Sequence, residues 1–144
     1  MRTESREFLK KYLDNAAPTT FEASGQKIWL EYIKPWIDDY IVDAYGSVAA
    51  IVNPGADYKV VIEAHADEIG WWVSTITEKG YIYVTRNGGS DPQIAPSMRV
   101  NIHTDDGVVP GVFGWPAIHV RDRSKKDGPD LKSITVDVGA TSKE

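Results

Sequence analysis

Two different periods of apolar residues divide the chain. Near its start Phe8, Leu9, Tyr12 and Leu13 recur at helical spacing, and Ala17-Pro18 ends the pattern. Thr19 and Glu22 then have the spacing of a capping box, a hydroxyl at the N-cap and a carboxylate three residues on. The helix they predict carries Ile28, Trp29, Tyr32, Ile33, Trp36 and Ile37 as adjacent pairs repeating at i+4. Gly25 weakens its first turns, and Pro35, which lacks an amide hydrogen, kinks or ends it. The stripe reads as core packing.

From Tyr40 the period becomes two. Short strands are predicted at 40–45, 48–52, 58–64, 70–77, 81–86, 98–104, 108–114 and 133–138. Turn chemistry separates them: Gly46-Ser47, Asn53-Pro54-Gly55, Lys79-Gly80, Asn87-Gly88-Gly89 and Asp105-Asp106-Gly107. The 58–64 strand holds a short apolar run at its centre, as a strand buried on both faces does. The strands after Gly70 alternate, as in a small barrel or sandwich. Two regimes result: a helix-plus-strand part to about residue 68 and an all-β part after it. Segment 121–132 reads as a charged surface loop. Thr141 and Glu144 form a further capping box with no helix pattern behind it, which points to the front part of a longer protein.

Composition narrows the function classes. Sixteen Lys+Arg against 21 Asp+Glu give a net charge of -5. Nucleic acid and anionic membrane surfaces both attract basic footprints, so neither is the expected partner. The longest aliphatic stretch, Val48 to Val52, is too short to span a bilayer. The opening MRTESREFLKK has no apolar core behind its charges, so no secretory signal is read and a cytoplasmic protein is the expectation. The chain has no cysteine, which excludes disulfides, thiolate metal sites and a cysteine nucleophile.

The richest chemistry lies in Val60-Val-Ile-Glu-Ala-His-Ala-Asp-Glu-Ile-Gly70. On an extended backbone Glu63, His65 and Asp67 share a face. Imidazole with carboxylates suits a zinc-type ion, and an aspartate two residues on can accept the second ring N–H and fix the tautomer. H-x-D is a short pattern, and the spacing alone favours a hydrogen-bonded histidine at a strand end. A zinc site also takes three or four protein ligands, and these do not obviously follow. His103 alternates with Val100 and Ile102 and reads as surface; His119 lies in a loop, where it approaches a site or caps the loop. Asn87-Gly-Gly-Ser-Asp91 lacks the lysine and helix of a phosphate loop. Trp71-Trp72 puts one indole on each face of a strand.

His65-Ala-Asp67-Glu68-Ile69-Gly70 resembles the H-x-D-E-I-G signature of a family of metal-dependent aminopeptidases. That family includes glutamyl aminopeptidase, the deblocking aminopeptidases and proteins once labelled cellulase or endo-glucanase. The likeness continues through Pro18–Gly25, Asp43-Ala-Tyr-Gly46-Ser47, Asn87–Pro92, His103–Gly107, Gly111–Gly114, Trp115–His119 and Val136–Glu144. It departs in detail at Pro18–Gly25 and puts Ser47 where the family has Asn.

The resemblance implies an α/β fold: residues 1–69 as the start of a zinc-exopeptidase-like catalytic domain, and residues 70–144 as a small PDZ-like β-barrel dimerisation domain, incomplete at its end. It implies that His65 ligates one of two zinc or cobalt ions and that Asp67 is the catalytic-site aspartate orienting that ring. Peptides are then the substrates, trimmed from their N-termini, and self-association runs through the β domain. The family's remaining ligands have no counterpart in these 144 residues. The chain alone is therefore expected to be inactive and to bind no metal tightly. Two alternatives stay open: a truncated relative that serves only as an oligomerisation module, and a glycan-related hydrolase or binding protein.

Overall fold

The computed structural model describes residues 1–122, 124 and 128–144. Part of the charged 121–132 loop, residues 123 and 125–127, lies outside the described residues. The chain divides into two compact units, Met1–Ile69 and Gly70–Glu144. Mixed α and β structure fills the first and β structure the second.

In the first unit α1 (Thr3–Leu13) packs on α2 (Ala23–Ile33). The contact is aromatic. Phe8 stacks on Tyr32 with centroids 4.0 Å apart and planes 8° apart, and Ser5 Oγ and Tyr32 Oη share a hydrogen bond of 2.9 Å. Gly25 is buried against Ala17: a Cβ there would stand 3.3 Å from the alanine methyl, so the residue that weakens the helix also lets the chain approach it. Pro35 acts as predicted. The α-helix stops at Ile33 and continues only as a 3-10 turn, Lys34–Trp36. The stripe read as core is only half-buried, and Trp36 is exposed. β1 (Asp39–Val42) and β2 (Val48–Ile51) form an antiparallel hairpin, with Val42 opposite Val48.

The 58–64 strand is a correction. No strand is formed there, and Val60, Val61 and Ile62 are exposed. A strand buried on both faces needs neighbours on each side to complete its backbone pairing. Among the described residues β1 and β2 pair only with each other. The apolar run was legible, but no described strand pairs with it.

The second unit is one antiparallel sheet of β3 (Gly70–Ile76), β4 (Ile82–Asn87), β5 (Arg99–Thr104), β6 (Gly107–Gly114) and β7 (Thr135–Asp137), in the order β3-β4-β7-β6-β5. β3 and β5 are edges that do not pair with each other, so among the described residues the sheet does not close into the barrel expected here. The core is Ile82, Val84, Ala95, Phe113, Ile134 and Val136, with Val136 opposite both Ile82 and Phe113. Trp71 meets Phe113 edge to face, centroids 5.2 Å apart, while Trp72 is turned to the exposed side. Gly111 lies so close under Val136 that a Cβ would come within 2.6 Å of its Cγ1. Among the described residues no helix is long and apolar enough to cross a membrane.

Candidate metal centre

The site is built where two distant pieces of the first unit run side by side. Glu68 donates its backbone N–H to Ala17 O at 2.9 Å, Thr19 donates its own to Glu68 O at 3.3 Å, and Pro18 and Glu68 form a parallel bridge. A side chain reinforces the seam: Glu68 Oε1 accepts the Ala17 N–H at 2.8 Å. Tyr12 adds a hydroxyl to Ala66 O at 3.3 Å.

On this mount Asp67 uses both carboxylate oxygens. Oδ1 lies 2.8 Å from His65 Nδ1, and Oδ2 accepts the Thr19 hydroxyl at 2.7 Å. A carboxylate can only accept, so the proton of the first bond sits on Nδ1. In the neutral ring that leaves the Nε2 lone pair available, the tautomer a metal ligand needs. The His65 side chain is 94% exposed, so nothing among the described residues covers that nitrogen. The hydrogen bond from His65, and then that from Thr19, hold the Asp67 carboxyl below the usual carboxylate range.

Glu63 does not join. Among the described residues no group of three or more His, Asp or Glu side chains is placed to hold an ion. The shared face required an extended run from 63 to 67, and without strand partners that alternation is not enforced. His103 is exposed on β5, as its alternation predicted, and His119 is exposed on a 3-10 turn, Ile118–Val120. The Gly-rich 87–91 loop is structural. Ser90 is 1% exposed and its hydroxyl donates to Gly70 O at 2.6 Å.

Sequence reasoning placed Glu68 in the cluster without a role and gave Thr19 no part in the site. Thr19 was read as an N-cap, but α2 begins at Ala23 with no side-chain cap. Glu22 Oε1 instead accepts the Thr20 N–H at 2.6 Å, and the Thr19 hydroxyl turns to Asp67. No local pattern signals the contact, because it joins residues 48 positions apart.

Known proteins resemble the chain over most of its length. The sequence profile of the M42 glutamyl aminopeptidase family matches residues 46–144. A lysyl aminopeptidase of Pyrococcus furiosus is 33% identical over 141 residues, 96% of this chain and 40% of that protein. Among solved structures, a TET aminopeptidase from a marine-sediment archaeon of the Thaumarchaeota superposes with a TM-score of 0.91 at 30% identity, over 98% of this chain and 40% of that one. The Pyrococcus horikoshii TET1 peptidase, described as assembling into a tetrahedron or a large octahedral shell, superposes with a TM-score of 0.80 at 28% identity, over 95% of this chain and 41% of its own. The chain thus spans about 40% of the length of the relatives it matches.

Proposed function

The chain belongs to the M42 glutamyl aminopeptidase family, and from that premise we propose that it supplies His65 as a metal ligand and Asp67 as the aspartate orienting it to a two-metal aminopeptidase centre. The observation carrying this reading is the 2.8 Å bond between Asp67 Oδ1 and His65 Nδ1, which leaves an exposed ring with Nε2 free to ligate. The donor chemistry fits a borderline ion such as zinc or cobalt. Two such ions would lower the pKa of a bound water and polarise the scissile carbonyl.

One imidazole and one carboxylate already engaged at both oxygens fall short of the three or four ligands zinc takes. The other ligands therefore belong to the remainder of a full-length protein, and this chain alone binds metal weakly and is inactive. In that protein residues 1–69 form part of the catalytic domain, and residues 70–144 form a PDZ-like domain through which copies associate. Assembly of the similar TET1 peptidase into a tetrahedron or a large octahedral shell supports the association. Peptides with a free N-terminus are the substrates, and the cytoplasm is the location.

The test is His65→Ala in the full-length protein. Bound metal, measured by elemental analysis, should fall from two ions per chain toward one. Unchanged metal content refutes the assignment.

A further inference from the structure

We propose that Thr19 is a positioning residue for His65, acting through Asp67. The inference rests on the reading of His65 as a ligand and adds a residue that the signature at 65–70 does not contain. A carboxylate bonded to one ring nitrogen alone can rotate about its own axis or swing into solvent, and the ring is then free to change tautomer. Here the second oxygen is tied down. Thr19 Oγ1 donates to Asp67 Oδ2 at 2.7 Å while His65 Nδ1 holds Oδ1 at 2.8 Å.

The hydroxyl is itself held in place. Thr19 N–H bonds Glu68 O, Glu68 N–H bonds Ala17 O, and the Glu68 carboxylate accepts the Ala17 N–H, so residues 17–19 and 67–68 form one hydrogen-bonded seam. Immediately after it the chain turns sharply, closed by Phe21 N–H on Pro18 O at 2.8 Å. Thr20 sits in that turn at φ +77°, a conformation that a β-branched residue adopts only under constraint. A segment strained on one side and bonded on the other presents its hydroxyl in one direction. Threonine also limits its own rotamers through its branched Cβ. The chain Thr19–Asp67–His65 therefore sets which ring nitrogen carries the proton.

This can be read without metal or substrate. Long-range proton–nitrogen spectra of the 15N-labelled chain at pH ~9, where a histidine ring is neutral, report the tautomer of each imidazole. There are three histidines, and His103 and His119, both exposed, serve as internal references. In the unsubstituted chain His65 should be mainly Nδ1-protonated. Thr19→Val should move it toward the tautomer mixture of the two references, Thr19→Ala should do the same with less bulk, and Thr19→Ser should keep the original preference. A folded Thr19→Val or Thr19→Ala chain in which His65 keeps its Nδ1 proton overturns the proposal. So does loss of the preference in Thr19→Ser, since that variant retains the hydroxyl. A purely structural role would lower the unfolding midpoint without moving the tautomer. Failure of the metal assignment would appear separately, as unchanged metal content in His65→Ala.

Discussion

Asp43 gathers two backbone amides on one oxygen: Oδ1 accepts from Tyr45 N at 2.8 Å and from Ser47 N at 2.9 Å. These bonds, the Ser47 backbone bond foremost, hold its carboxyl below the usual carboxylate range. A group whose folded pKa is depressed stabilises the fold above its unfolded value and loses that contribution as pH falls through the depressed one. The β1–β2 turn should thus keep its Asp43 bonds into acid where ordinary carboxylates have protonated. A carbon-13 titration of the Asp43 carboxyl should give a midpoint below that of unconstrained aspartates; an ordinary midpoint would contradict the geometry. Residue by residue, what could be read from the sequence was local. His65 and Asp67 are two apart, so their pairing follows from the motif. Thr19 reaches Asp67 across 48 positions and Ala17 reaches Glu68 across 51, and no periodicity encodes such a contact.

Elements were legible where a turn residue and an alternating pattern agreed. β3 to β6 fall within one or two residues of their predicted bounds, because each is set off by glycine, asparagine or aspartate turns. The 58–64 run failed for the opposite reason: its composition described a strand, but a strand is made by its partners. Gly80, between β3 and β4, shows how a turn position can be constrained twice. It has φ +83°, and a Cβ would come within 2.8 Å of the Ala140 backbone. Gly80→Ala should therefore cost about 2 kcal/mol or more, combining left-handed strain with a clash against backbone. Urea unfolding followed by Trp fluorescence checks this; a cost of a few tenths would mean that the turn relaxes.

At the scale of the whole molecule the two units differ in how much they bury. Among the described residues the second has a contiguous core of six buried side chains. In the first, Ala17 is the only hydrophobic residue buried among those described, and Ile62 is 94% exposed. An exposed apolar run of this kind binds hydrophobic dyes. The isolated chain should enhance the fluorescence of an apolar dye, and Val61→Lys with Ile62→Lys should reduce that signal; a dye-silent chain would argue against the exposure. The order of strands carries a last consequence, for how the protein is made. β7 follows the other four strands of this sheet in sequence yet lies between β4 and β6, and it brings Val136, with Ile134 just before it, into the core. On the ribosome the two preceding hairpins can close by themselves, but the sheet that joins them waits for Ile134 to Asp137 to emerge. Until then each hairpin carries half of an unfinished interior.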